Sequence, residues 1–137
     1  MRICRWNKWH NRRKLIAEPQ AHALVRRNKT MAKRVNGRFY LKKTSNGNLV
    51  GEWSNDHEAQ VFSECADLIA PDRAGDVYVG KYLSTWQEDG KPQFATLTIT
   101  RKNGGGLLFE LEWRGAANFY GEGMLCDDIL MGNYHSK

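Results

Sequence analysis

Carboxylates, thiols and imidazoles are the side chains of this sequence that are able to carry chemistry. Glu110 and Glu112 lie two residues apart and Glu122 follows on the next predicted strand, so these carboxylates can share one sheet face. A glycosidase needs two carboxylates about 5 to 9 Å apart across a cleft, whereas carboxylates on an outward face are usually solvated. The four histidines have no nucleophile at an interpretable spacing, and the three cysteines form no metal-ligand pattern. We therefore predict no catalytic residue, no metal and no cofactor, and expect the chain not to be an enzyme.

The net charge of +6 is divided unevenly along the chain. Residues 1–43 carry fourteen Lys and Arg and one Glu, whereas residues 44–137 carry seven Lys and Arg and fourteen Asp and Glu. A basic segment neutralises phosphates and releases their counterions, so nucleic acid or another anionic partner is one predicted binding class for residues 1–43. Trp6 and Trp9 are placed to stack on bases. The candidate nucleic-acid-binding residues are Arg12, Arg13, Lys14, Arg26, Arg27 and Lys29.

The first thirty residues also permit other interpretations. They are able to fold back on the acidic remainder, to act as an Arg-rich transit peptide, or to be upstream sequence that the fold does not need. We favour the last and predict a basic, flexible arm over residues 1–30, followed by a single β-rich domain over residues 31–137. The sequence has no apolar stretch long enough for a membrane span and no apolar signal region at its start. We therefore expect a cytoplasmic protein with reduced thiols.

The elements of this domain are read from turn signals and periodicity. Residues 38–43 and 48–53 flank Asn46-Gly47, which predicts a hairpin with a type I′ turn. Asn55 precedes Glu58 by three residues, a helix-capping arrangement. Apolar residues then recur at steps of three and four, which predicts a helix over about residues 56–69.

Strands separated by short turns fill the rest of the chain. Predicted strands span residues 76–86, 93–101, 107–114, 119–125 and 129–134, with hairpin-sized gaps that require antiparallel neighbours. Together with the first hairpin they total about seven strands. We predict a mainly β fold, an antiparallel meander or small calycin-like barrel, whose open end the helix could plug.

Short motifs in this region resemble the avidin and streptavidin family. Residues 49–56 contain a Gly-x-Trp-x-Asn segment like the first barrel strand of that family, and residues 80–84, 109–113 and 119–122 resemble later strands. The resemblance extends over about residues 49–134 and implies a barrel that binds the ureido group of biotin. The ligand-binding residues that it implies are Asn55, Tyr82, Ser84, Trp113 and Phe119.

Three functions follow from these patterns. The first is non-catalytic binding of a small apolar or ureido-type ligand inside the barrel, which requires an apolar cavity with a few polar groups. The second is nucleic-acid or anionic-partner binding through the basic arm. The third is a homodimeric interaction module, because residues 129–131 are apolar on both faces and an uncovered edge strand pairs readily with a second copy.

Overall fold

The computed structural model describes residues 33–88, 90–104 and 106–137, and the predicted arm over residues 1–30 lies outside them. Eight strands make up the fold: β1 (Asn36–Lys43), β2 (Leu49–Asn55), β3 (Glu58–Pro71), β4 (Gly80–Glu88), β5 (Lys91–Arg101), β6 (Leu108–Gly115), β7 (Asn118–Cys126) and β8 (Ile129–Ser136). A short 3-10 helix (Lys102–Gly104) follows β5.

Each strand pairs antiparallel with the next one along the chain, and β8 pairs antiparallel with β1. The predicted mainly β, antiparallel fold is therefore confirmed as a closed eight-strand barrel, which is compatible with a calycin-like architecture. The barrel closes where Val35 and Ser136 meet. The Val35 amide donates to the Ser136 hydroxyl at 2.9 Å, and the Ser136 amide donates to the Val35 carbonyl at 3.0 Å.

The predicted helix over residues 56–69 is wrong, because this segment forms β3. Phe62, Glu64 and Ala66 face the interior at steps of two, and Phe62 pairs with Trp53 of β2. The predicted cap does exist in another form. The Asn55 side-chain oxygen accepts hydrogen bonds from the amides of His57 and Glu58, but it does so in the turn between β2 and β3. The count is consequently eight strands rather than about seven.

Local turn chemistry explains the hairpins. Gly47 has a φ of 88°, whereas Asn46 does not adopt a positive φ, so the first turn is a longer loop and not the predicted type I′ turn. Asp127 and Asp128, at φ 48° and 65°, both adopt the left-handed conformation that joins β7 to β8. Because β1 precedes it in the barrel, Leu49–Asn55 is the second strand, whereas the resemblance to avidin implies that this segment is the first strand.

The two ends of the barrel differ in composition. At the end that we call the Trp end, three tryptophans and three other aromatic rings point inward: Trp53, Trp86, Trp113, Phe62, Phe119 and Tyr134. At the opposite end, residues 72–79 connect β3 to β4. Tyr78 of this connection is buried and packs with the core residues of the barrel. The Tyr78 hydroxyl donates to the Asp128 carbonyl at 2.5 Å and accepts from the Lys43 amide at 3.2 Å.

Candidate functional site

The five residues implied by the family resemblance do not all meet. Ser84 and Trp113 lie deep in the barrel and contact the same side chain, the carboxylate of Glu64. Phe119 lies at the Trp end with its ring centroid 5.8 Å from that of Tyr134. Tyr82 is buried towards the opposite end, away from this group. Asn55 is half-buried at the end of β2.

Tyr82 has partners of its own that explain its burial. Its hydroxyl donates to the Tyr78 carbonyl at 2.8 Å and accepts from the Lys43 ammonium at 2.9 Å. Burial raises the pKa of Tyr82 to about 12 and lowers the pKa of Lys43 below its ordinary value. These contacts hold together the end of the barrel that lies opposite the Trp end.

Glu64 is the buried polar residue that the sequence analysis missed. It is 4 % exposed, and its Oε1 accepts hydrogen bonds from the Ser84 hydroxyl at 2.5 Å and from Trp113 Nε1 at 2.8 Å. Burial raises the pKa of this carboxyl, and the bonds from Ser84 and Trp113 lower it by less. A carboxylate among apolar side chains is costly unless it is hydrogen-bonded, so these two donors make its position tenable.

Tyr134 is the second buried residue that the sequence analysis missed. Its ring lies edge-on to Trp53 and Phe119 and tilted against Trp113, with centroid distances of 6.3, 5.8 and 6.2 Å. Gly37 of β1 pairs with Tyr134 on one side and with Asn55 on the other. A Cβ on Gly37 would overlap the Tyr134 ring, so the absence of a side chain there lets the ring cross β1 towards Asn55.

The polar atoms of Tyr134 and Asn55 are incompletely satisfied. Burial raises the pKa of Tyr134, and its contact with the Asn55 side chain partly offsets this rise. Even so, neither the Tyr134 hydroxyl nor the Asn55 Nδ2 atom makes a regular hydrogen bond within the described residues, although both atoms are buried. Because an unsatisfied buried polar group costs about 1–3 kcal/mol, each of these two atoms destabilises the folded barrel until it gains a partner.

Side chains occupy the barrel interior. Buried leucine, isoleucine and tryptophan side chains extend from one end to the other, including Leu41, Leu49, Leu97, Ile99, Leu111 and Leu130. The apolar ligand cavity expected from the sequence therefore has no support in the described residues.

A groove of about 1110 Å³ lies instead on the outer face of the barrel and reaches both Asn55 and Tyr134. Outward-facing side chains of β5 to β8 and β1 form most of its lining: Thr98, Thr100, Glu110, Glu112, Tyr120, Glu122, Asn133, His135, Asn36 and Arg38. The three carboxylates considered in the sequence thus share one face, and Glu110 is the direct cross-strand partner of Glu122. Glu122 is paired with Lys102 at 2.9 Å and Glu112 with Arg114 at 2.8 Å.

Other candidate chemistry is sparse. Cys65 and Cys126 are free and exposed. No cluster of three or more metal-ligating side chains is found in the part of the chain that the structure describes. Among the same residues, no helix has the length and apolar character that crossing a membrane requires. The six candidate nucleic-acid-binding residues between Arg12 and Lys29 lie outside the described residues.

Comparisons with protein-family models, with curated proteins and with solved structures found no match to this chain.

Proposed function

We propose that this chain is a non-catalytic barrel that binds a small molecule carrying a ureido or amide carbonyl, at the end of the outer groove lined by Asn55 and Tyr134. The observation that carries the proposal is the pair of buried, incompletely bonded polar atoms on these two residues. Both the hydroxyl of Tyr134 and the amide nitrogen of Asn55 are hydrogen-bond donors, and one carbonyl oxygen accepts two such bonds.

The surroundings of this pair support the same ligand class. The rings of Trp53, Trp113 and Phe119 hold Tyr134 in place, so its hydroxyl would need little ordering when a ligand binds. The groove lining combines four carboxylates with one arginine, which favours a neutral or cationic ligand over an anionic one. Since the interior is packed, the site proposed here differs from the ligand cavity inside an avidin-like barrel, although the ureido chemistry is the same.

Thermal unfolding in the presence of three compounds tests the proposal. Biotin carries the ureido group together with a carboxylate chain that the acidic groove disfavours, 2-imidazolidinone is the neutral ureido group alone, and pentanoate keeps only the carboxylate chain of biotin. We expect the first two to raise Tm and pentanoate to leave it unchanged, because a ligand present at 100 times its Kd stabilises the folded state by about 2.7 kcal/mol. Equal responses to all three compounds, or no response to millimolar concentrations of either ureido compound, would contradict the proposal.

Two variants assign the response to the proposed atoms. Asn55→Asp keeps the side-chain oxygen that accepts from the His57 and Glu58 amides but removes the Nδ2 donor. Tyr134→Phe removes the hydroxyl and keeps the ring. Each variant should remain folded and show a smaller ureido-dependent rise in Tm. A full response from both variants would place the ligand elsewhere.

A further inference from the structure

Four exposed apolar side chains form a row across the outside of the barrel. Leu108 pairs with Met124, Met124 with Met131 and Met131 with Tyr40, so the four residues are consecutive register partners on β6, β7, β8 and β1. Their exposed fractions are 39–41 %. With about 4.8 Å between neighbouring strands, this apolar row is roughly 14 Å long. Contiguous exposed apolar surface of this kind marks interaction sites.

The next outward positions on the same four strands carry charges of opposite sign at the two ends. In register order they are Glu110, Glu122, Asn133 and Arg38. Lys102 pairs with Glu122 and also interacts with Glu110, so these three side chains together carry one net negative charge that a positive partner can offset. This charged row is therefore acidic on β6 and basic on β1.

These two rows complement a second copy of themselves. A twofold axis parallel to the strands places β6 of one copy over β1 of the other and β7 over β8. Leu108 then faces Tyr40 and Met124 faces Met131, while Glu110 faces Arg38. A twofold axis along the apolar row would instead bring Arg38 towards Lys42, which occupies the outward position of β1 on the other side of Tyr40. Charge therefore selects the first arrangement.

We propose that this chain forms a twofold homodimer through the outer face of β6, β7, β8 and β1, with Glu110 of each copy against Arg38 of the other. The closed barrel has no free edge, since β8 is bonded to both β7 and β1. Dimerisation by edge-strand pairing, the basis on which the sequence favoured a dimer, is therefore not available to β8. Association occurs face to face, and residue 131 contributes through its side chain rather than its backbone. This inference does not rest on the proposed ligand, although the charged row also lines the outer groove that the ligand would enter.

Sedimentation velocity of the full chain over a wide range of concentration tests the dimer. The two rows cover less than the roughly 800 Å² per partner of a standard interface, so we expect a reversible shift from the monomer mass of 15.8 kDa to twice that value as concentration rises. Met131→Glu should abolish the shift. Phe94→Glu is the matched control, because Phe94 is an exposed apolar residue on β5 outside both rows. It should leave the shift intact.

Charge reversal tests the orientation. Glu110→Arg alone and Arg38→Glu alone each place like charges together twice in the dimer and should weaken it by tenfold or more. The double variant restores both pairs with exchanged signs and should regain the dimer. Circular dichroism checks that each variant is folded. A monomer at every concentration, equal loss from Phe94→Glu and Met131→Glu, or no recovery in the double variant would overturn the proposal.

Discussion

The buried carboxyl of Glu64 makes the stability of the barrel depend on pH in a predictable direction. Burial raises its pKa above the ordinary value of 4.5, so the folded state keeps this proton at a pH where the unfolded chain has lost it. Stability contributed by this group is therefore fully present below pH 4.5 and is lost as pH rises to the folded-state pKa. The loss is about 1.4 kcal/mol for each pH unit between the two pKa values.

Glu64→Gln removes this titration while keeping an oxygen that accepts from Ser84 and Trp113. The new amide adds a donor whose cost, up to about 1–3 kcal/mol, is independent of pH. We therefore expect the free energy of unfolding of the variant to rise relative to that of the parent chain with increasing pH above 4.5, and to level off above the folded-state pKa. Urea unfolding followed by Trp fluorescence from pH 4 to 8 measures this difference.

Two controls separate this effect from a general change in charge. Asp67→Asn removes an exposed carboxylate from the same strand and should show no comparable rise. Ser84→Ala removes a hydrogen bond that lowers the pKa of Glu64, so in this variant the loss of stability with rising pH should extend to higher pH than in the parent chain. A difference between Glu64→Gln and the parent that stays constant from pH 4 to 8, or that falls as pH rises, would refute the reasoning.

Three further predictions concern the Trp end, the packing of β1 and the basic arm. Tyr134→Phe should leave the free energy of unfolding unchanged or raise it, whereas Tyr78→Phe, which breaks regular hydrogen bonds, should lower it by about 1–3 kcal/mol in the same urea assay. Gly37→Ala should cost about 1–3 kcal/mol because its Cβ would overlap both the Ser54 carbonyl and the Tyr134 ring, whereas Gly75→Ala, in open space at a φ of 77°, should cost about 1 kcal/mol; equal thermal shifts would contradict this. The full chain should bind single-stranded nucleic acid with an affinity that falls linearly, in logarithmic units, with salt, and a variant starting at Met31 should not; equal fluorescence-anisotropy titrations would discard the arm as the binding element.

The sequence predicted the local features of the barrel better than the closed shape. Short turns between predicted strands identified five of the seven hairpin connections, because turn chemistry depends on a few adjacent residues, whereas the two connections that flank β3 were missed together with that strand. The strand β3 was missed for a definite reason. Glu64 interrupts the apolar alternation of Phe62, Ala66 and Leu68, and the remaining apolar residues happen to follow a helical spacing. The pairing of β1 with β8 joins distant segments and has no local signal.

The candidate site was predicted in part for the same reason. Alternation within β6 correctly turned Trp113 inward, whereas Ser84 and Phe119, which are also buried, were named only through the family resemblance. The helix predicted over residues 56–69 leaves Glu64 off its apolar stripe, so the acceptor that joins Ser84 to Trp113 could not be anticipated. Alternation of Leu130 and Tyr134 in β8 was a usable signal, but the position of Asn55 beside Tyr134 depends on the long-range register across Gly37.

The hydrogen bonds between Val35 and Ser136 bring the two ends of the barrel sheet side by side. Closing the ring therefore joins segments about one hundred residues apart, the most non-local contact in the barrel, and such contacts slow folding. A circular permutant that links residue 136 to residue 35 through a two-residue Asn-Gly turn and opens the chain in the loop at Gly47 would convert this closure into an ordinary hairpin. The cost of a long loop would pass to the pairing of β1 with β2, so the most non-local pairing would move around the ring while the native barrel stayed the same.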